Sequence, residues 1–270
     1  MCAIPVHYSD ESRLQENATV SENSILDLVL LRERIEHVRS RIRNSGADPQ
    51  SVRIIAVTKG HNSETIRLAR QAGIRDFGEN YAQELSAKAE ELEDDRDIRW
   101  HFLGGIQTNK VALLAGKVHL FQSVCRHKEI DAIANALENP PGKDAISLQT
   151  ESSIMVQVNL DRLALPALSV MEGRGGCDLS ELGDIVEHAR HRGLKVIGLM
   201  GVGIAGSPEA SRLGFRELRA SADRLGLADV SMGMSDDLEI AVSEGSTMVR
   251  VGTALFGQRH PPAGTQASSS

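Results

Sequence analysis

The sequence is poor in the features that mark nucleic-acid-binding and membrane proteins. Only 3% of its 270 residues are aromatic, and its formal net charge at pH 7 is -7. So few aromatic side chains offer no stacking platform for bases, and the acidic balance gives no basic field for nucleic acid or anionic lipid. No apolar run is long enough to span a bilayer. We therefore expect neither nucleic acid nor a membrane as a partner.

Cysteine is also scarce. The three cysteines, Cys2, Cys125 and Cys177, are odd in number, far apart and without a CxxC pair. This pattern is typical of reduced thiols and excludes a disulfide framework or a zinc site. The first twenty residues lack the basic start and apolar core of a signal peptide. These observations predict a cytoplasmic protein.

Short apolar runs alternate with segments of helical period along most of the chain. Alternating strands and helices indicate a parallel sheet, because parallel neighbours need a crossover. Eight such units close a barrel, whereas a doubly wound sheet more often stops at five or six. We therefore predict an α/β fold, a single (β/α)8 TIM barrel. The predicted strands are 53–58, 74–78, 99–103, 118–121, 154–160, 195–200, 228–232 and 247–252.

Both ends of the chain differ from this alternating region. Residues 24–43 carry apolar side chains at helical spacing, which predicts an extra helix before the first strand. We predict a flexible segment over 1–23, a barrel domain over 24–258 and a flexible tail over 259–270. Only thirteen residues follow Gly257, so we expect no C-terminal β domain. Without a second domain to share, we expect a monomer.

The carboxyl ends of barrel strands meet at one mouth, where barrel enzymes place their active sites. The first predicted strand, "RIIAVTKGHN", ends on Lys59. For a single strand, such a lysine more often marks the exit of the chain into water. Here other polar and small residues stand at the corresponding positions of the other strands. They are Glu79, Asn80, His101, Gly104, Asn159, Met200, Gly201, Gly233–Ser235 and Arg250–Thr253.

The last two loops of the barrel are candidates for binding phosphate. The segment "SMGMSDD" contains Ser235 at a strand-to-helix turn, and "VGTALFG" places Gly252 and Thr253 after the last strand. Barrels frequently bind phosphate between the loops after strands seven and eight. Asp236 and Asp237 would then have to point away from the anion. For either loop alone, plain turn glycines with Ser235 as a helix cap are the safer interpretation.

A lysine and a phosphate site in one mouth suggest a phosphorylated aldehyde held as a Schiff base. The amine of lysine is a good nucleophile toward carbonyls when a dry or cationic setting lowers its pKa, and Arg250 would supply such a setting. If Arg250 faced the nitrogen of a pyridine ring, that nitrogen would stay unprotonated and the ring would be a weaker electron sink. We expect His61 to be solvated, whereas Lys110 could lie either at the rim of the site or at the surface.

Five segments resemble the YggS/PROSC family of pyridoxal-phosphate-binding proteins. They are "AVTK", "FGENYAQE", "WHFLGGIQTNK", "GLMG" and "GMSDDLEIAVSEGSTMVRVGTALFG", between about Val52 and Gly257. The resemblance implies the alanine-racemase-like barrel of fold-type III proteins and a role in pyridoxal 5'-phosphate homeostasis without established turnover. It implies that Lys59 forms the internal aldimine with this cofactor. By the same resemblance the phosphate lies at Ser235, Gly252 and Thr253, and the residues around the cofactor are Asn80, His101 and Arg250.

One departure and two alternatives remain open. Many members of the family have a lysine where this chain has Arg174, which removes a potential second amine for aldehyde exchange.

The first alternative to a carrier that supplies apo-enzymes is a fold-type III enzyme, such as an amino-acid racemase or decarboxylase. Racemases need a tyrosine base. The only tyrosines are Tyr8, in the segment predicted to be flexible, and Tyr81, at the start of a predicted helix, so a two-base racemase is unsupported. The second alternative, a Schiff-base aldolase without a cofactor, needs an acid–base pair near Lys59. His101 is the only obvious candidate for it, and this alternative ranks last.

Overall fold

Eight parallel strands close into a barrel in which each strand pairs with the next and β8 pairs with β1. The computed structural model describes residues 11–139, 151–161, 175–204 and 207–257, with side chains from residue 27 onward. All eight predicted strands are present, so the (β/α)8 prediction is confirmed. They are β1 (Arg53–Val57), β2 (Asp76–Glu79), β3 (Arg99–Phe102), β4 (Val118–Val124), β5 (Ser153–Val158), β6 (Lys195–Gly201), β7 (Asp229–Ser231) and β8 (Met248–Val251).

Helices occupy the gaps between these strands. The described helices are α1 (Glu11–Asn44), α2 (Ser63–Gln71), α3 (Ala82–Glu91), α4 (His127–Glu138), α5 (Leu182–His191), α6 (Arg212–Arg224), α7 (Leu238–Ser243) and α8 (Thr253–Phe256). Two 3-10 helices, Thr108–Leu113 and Glu209–Ser211, complete the set. None of the helices in the described ranges has the length and apolar character needed to cross a membrane.

The N-terminal helix starts earlier than the sequence predicts. It begins at Glu11, so the segment predicted to be flexible, 1–23, overlaps with it. The predicted tail at 259–270 and the family departure at Arg174 lie outside the described residues. No strand follows β8 within the part of the chain that the structure covers.

The core has two layers because side chains alternate along each strand. The larger layer lies between strands and helices and includes Trp100, whose ring centroid is 6.1 Å from that of Phe77. Alternation along β3 thus places Trp100 in the outer layer and its neighbour His101 inside the barrel. The smaller layer lies inside the barrel and consists of Ile55, Leu120, Met155, Met200 and Met248. Polar side chains share the barrel interior with this small apolar cluster.

Candidate functional site

A cavity of about 410 Å³ opens at the carboxyl ends of the strands. We call it the mouth cavity. It brings together all the residues expected around the cofactor except His101, together with Met200 from the end of β6. Its walls consist of Val57, Lys59, His61, Asn80, Leu103, Met200, Val202, Met234, Ser235, Asp236, Arg250, Gly252, Thr253 and Gly257.

Lys59 lies half-buried in the wall of this cavity, two residues after the end of β1. Helix α3 fixes the backbone on both sides of it. The Lys88 ammonium donates to the carbonyl of Thr58 at 2.8 Å, and the Gly60 N–H donates to the Glu84 carboxylate at 2.6 Å. The lysine at the end of this strand therefore belongs to a held turn in a cavity wall, and does not simply mark the exit of the chain into water.

A buried ion cluster supports that turn from below. The Lys88 Nζ lies 2.7 Å from carboxylate oxygens of both Glu79 and Glu84, and the Thr58 hydroxyl donates to Glu79 at 2.7 Å. Glu79 is fully buried, and burial raises its pKa although Lys88 opposes that rise. Its Oε2 accepts no hydrogen bond from the described residues. The sequence places Glu79 at the mouth, but its role in the structure is to hold the chain beneath Lys59.

Arg250 is a buried cation in the cavity wall. Its Nη1 donates to the carbonyl and the hydroxyl of Ser231 at 2.8 and 2.7 Å, and its Nη2 donates to the carbonyl of Gly201 at 2.8 Å. None of the described carboxylates lies within ion-pair distance of it. Burial lowers the pKa of Arg250 to about 10, with Asp237 opposing the shift, so the side chain stays charged at neutral pH. An unpaired buried charge is costly, and a ligand with an accepting or anionic group would reduce that cost.

The loops after β7 and β8 bring Ser235, Gly252 and Thr253 to the same cavity. Helix α7 begins at Leu238 after Asp237, so Ser235 does not cap it and the plain-cap interpretation does not hold. The buried Asp237 carboxylate turns back into its own loop, where it accepts the N–H of Met234 at 2.6 Å. Asp236 is exposed and remains at the cavity wall, contrary to the expectation that both acidic side chains point away.

Gly233 lets the loop after β7 turn toward the cavity. Its φ of +93° is a conformation that other residues rarely adopt, and a Cβ there would lie 2.6 Å from the Cβ of Ala241. With only six residues, α7 contributes little dipole. Binding of an anion at this place would therefore depend on hydroxyl groups and on single backbone N–H groups.

Helix α1 anchors both of these loops, which the sequence does not reveal. Arg41 donates to the carbonyl of Ser235 at 2.8 Å and pairs with Glu239 at 2.5 Å. Arg34 donates to the carbonyl of Leu255 at 2.9 Å. The extra helix before the barrel thus fixes the backbone around the candidate phosphate site. Contacts between positions about 200 residues apart leave no pattern in a single sequence.

His101 does not line the mouth cavity. It lies inside the barrel, 98% buried, with Nε2 2.9 Å from Asp76 Oδ1 and Nδ1 2.9 Å from the Gln122 amide nitrogen. Alternation along β3 directs residues 101 and 103 to the same side, and Leu103, two residues nearer the mouth, takes the place in the cavity wall. The sequence therefore places His101 on the inward face of β3, where it lies, but predicts it too close to the mouth.

His61 lines the cavity although the sequence predicts a solvated side chain. Its ring lies 4.9 Å from that of Phe256 in α8 and is half-buried. Asn80, in contrast, lies where it is predicted. Its backbone is tightly packed against the loop after β3. The packing is so close that a Cβ at Gly104 would lie 1.9 Å from the Asn80 carbonyl oxygen. Gly104 is therefore needed to bring β2 and β3 together at the mouth.

A second cavity of about 390 Å³ adjoins the first and shares Asn80 with it. Lys110 and Arg126 lie in its wall, together with the exposed ring of Tyr81. Arg126 forms an ion pair with Glu129, with its Nε 2.8 Å from the carboxylate. The Lys110 Nζ lies 3.4 Å from the amide oxygen of Gln83. The rim position considered for Lys110 therefore belongs to this second cavity and not to the mouth cavity.

Residues 26–260 match the family described as "Alanine racemase, N-terminal domain". The chain belongs to this family. It is 37% identical to the pyridoxal phosphate homeostasis protein of Pseudomonas aeruginosa, over 84% of this chain and 95% of the relative. The resemblance to the YggS/PROSC family seen in the sequence is thereby confirmed.

Solved structures agree with this relationship. PipY of Synechococcus elongatus, determined with pyridoxal phosphate bound, superimposes with a TM-score of 0.68 at 31% identity and covers 84% of this chain and 100% of PipY. Alanine racemase of Clostridium difficile gives a TM-score of 0.58 at 16% identity, covering 86% of this chain and 58% of the racemase. The likeness to the racemase shows a shared fold only.

Proposed function

We propose that this protein binds pyridoxal 5'-phosphate in the mouth cavity and holds it as a Schiff base with Lys59. In this role it stores the cofactor in the cell and passes it to apo-enzymes, acting as a monomer without turnover of its own. Its curated relatives carry the name of homeostasis proteins, and one structural relative was solved with this cofactor.

The observation that carries the proposal is that Lys59 and Arg250 line the same cavity. The amine lies half-buried in a turn that α3 holds on both sides, and the guanidinium is a buried cation without an ion pair among the described residues. A phosphorylated pyridine aldehyde offers a carbonyl to the first group and negative charge with a ring nitrogen to the second. The residues present therefore fit the cofactor.

The other cavity residues complete the site. The hydroxyls of Ser235 and Thr253 are the candidate donors to the phosphate, close to the backbone at Gly252. Arg250 can donate to the ring nitrogen, which keeps that nitrogen unprotonated and restrains the electron-withdrawing chemistry that the bound ring supplies. Asn80 and Met200, which line the cavity, would lie beside the ring. With Arg250 in this place, the site favours holding the cofactor over stabilising carbanions.

The composition of the cavity wall also favours a carrier over a two-base racemase. Its described residues include no tyrosine, and Tyr81 is 64% exposed beside the second cavity. An aldolase without a cofactor would need an acid–base pair near Lys59. His101, the candidate from the sequence, lies deeper inside the barrel and outside the cavity wall.

Borohydride reduction of the loaded protein, followed by peptide mass mapping, tests the proposal. We expect a single reduced adduct on Lys59, a Schiff-base absorption band in the native protein, and loss of both in Lys59→Ala. Lys110→Ala is the matched control, because its amine lines the neighbouring cavity. An adduct that persists in Lys59→Ala, or robust turnover of an amino acid by the loaded protein, contradicts the proposal.

A further inference from the structure

Five polar side chains from five strands form a series of hydrogen bonds across the barrel interior. We call this series the interior chain, and its members are Arg250, Ser231, Gln122, His101 and Asp76. Arg250 donates to Ser231 at 2.7 Å, Ser231 to Gln122 at 2.7 Å, and the two remaining contacts are 2.9 Å each. Every member is at least 94% buried. The interior chain begins in the wall of the mouth cavity and ends at the first residue of β2.

The direction of the interior chain follows from its first donor. A guanidinium can only donate, so the Ser231 oxygen accepts from Arg250 and its own proton goes to Gln122 Oε1. The amide nitrogen of Gln122 then faces His101 and donates to Nδ1. His101 must therefore carry its proton on Nε2, where it donates to Asp76 Oδ1. Each bond in the series requires the orientation of the one before it.

The charges around His101 agree with this neutral form. Burial lowers the pKa of His101, and the charges of Arg53 and Arg99 act in the same direction, while Asp76 opposes them. Burial would raise the pKa of Asp76, but the hydrogen bond from His101 and the hydrogen bond and charge of Arg99 lower it. The Arg99 guanidinium, partly exposed at the far end, lies 2.6 Å from Asp76. An ionised Asp76 with a neutral His101 is the state in which every proton has an acceptor.

The opposite arrangement carries a cost at Ser231. If His101 held protons on both nitrogens, Gln122 would have to turn its oxygen toward Nδ1 and its amide nitrogen toward Ser231. The Ser231 hydroxyl would then lose its acceptor while still accepting from Arg250. A buried hydroxyl without an acceptor is destabilising, so the interior chain favours one orientation of Ser231 and of the guanidinium above it.

Three of the five N–H groups of Arg250 are committed to Ser231 and Gly201, which fixes the plane of the guanidinium. We propose that Gln122 and His101 are positioning residues, which act through Ser231 to aim Arg250 at the ring nitrogen of a pyridine ligand. The inference rests on the proposed function. It adds that the hydrogen bond to the ring depends on side chains that do not line the mouth cavity.

Nitrogen NMR of the protein tests this inference, first without ligand and then with pyridoxal phosphate labelled with ¹⁵N in the ring. In the wild-type protein we expect His101 as the neutral Nε2–H tautomer and an unprotonated ring nitrogen. In Gln122→Leu we expect the ring signal to move from its wild-type position and the retention of cofactor to fall about tenfold, the effect of one buried hydrogen bond. The matched control is Gln157→Leu on β5, which lies outside the interior chain.

A second variant keeps the inference testable should Gln122→Leu fold poorly. Gln122→Glu keeps the acceptor for Ser231 but removes the donor to His101 Nδ1, so we expect a doubly protonated His101 with the ring signal close to that of wild type. A wild-type His101 with its proton on Nδ1 would overturn the assigned direction. A wild-type ring signal and retention in Gln122→Leu would overturn the inference while leaving the proposed function intact. Failure of the wild-type protein to take up the cofactor would instead refute the proposed function.

Discussion

The two neighbouring cavities differ less in size and residue types than in how their charges are balanced. Their volumes are about 410 and 390 Å³, each has one lysine and one arginine in its wall, and they share Asn80. In the mouth cavity the arginine is buried and, among the described residues, bonded only to neutral groups. In the second cavity Arg126 is more than half exposed and paired with Glu129.

This difference favours the mouth cavity over the second cavity as the proposed cofactor site. A cation that a protein carboxylate already neutralises, and that water reaches, has little to gain from an anionic ligand. A buried cation that lacks such a partner gains much more, because the ligand replaces solvation that the protein does not supply. Volume and residue type alone would not separate the two cavities.

The largest expected effect concerns the hydroxyl groups that two loops bring to the mouth cavity, whereas no serine or threonine is among the described residues of the second cavity wall. We expect Ser235→Ala combined with Thr253→Ala to weaken cofactor retention by a hundredfold or more, because each hydrogen bond to the phosphate contributes roughly 1.5–3 kcal/mol. Dialysis of loaded protein followed by absorption spectroscopy measures the retention. The control is Gln83→Ala with Gln107→Ala in the second cavity. Equal retention in both double variants would place the phosphate elsewhere.

The next prediction compares the two arginines directly. We expect Arg250→Met to weaken retention of the cofactor by about 10- to 150-fold, which corresponds to one charge-assisted hydrogen bond of roughly 1.5–3 kcal/mol. Arg126→Met removes the same charge from the second cavity and should leave retention unchanged. Titration of each ligand-free protein with pyridoxal phosphate provides the measurement. Similar losses in both variants would show that general positive potential, and not the buried guanidinium, attracts the ligand.

Much of this fold could be predicted from the sequence because it depends on local pattern. Each of the eight strands is a short apolar run between helical segments, and the position after each run identifies the mouth. These strand ends place Lys59, Arg250 and both candidate phosphate loops at the mouth of the barrel, where the structure has them. Strand ends determine which side chains share an edge, and that information is written in the order of the chain.

The sequence could not supply the depth of a side chain inside the barrel or the contacts between positions far apart in the chain. His101 on β3 and Leu103 directly after it have the same orientation, and only their depth along the barrel decides which of them reaches the cavity. The support of Ser235 by Arg41 joins positions 194 residues apart. The burial of Glu79 beneath Lys59 depends likewise on the packing of α3 against the barrel. None of these relations has a period or a spacing that a single sequence would show.

The smallest expected effect tests the support that α1 gives to the mouth cavity alone. Arg41→Ala removes the hydrogen bond to the Ser235 carbonyl and the pair with Glu239. We expect two- to tenfold weaker retention, since a net hydrogen bond contributes roughly 0.5–1.5 kcal/mol. Arg43→Ala is the matched control on the same helix, because its pair with Glu36 is exposed and 3.5 Å long. If both variants retain the cofactor equally, α1 stabilises the barrel without shaping its phosphate loops, and the advantage of the mouth cavity arises within the barrel itself.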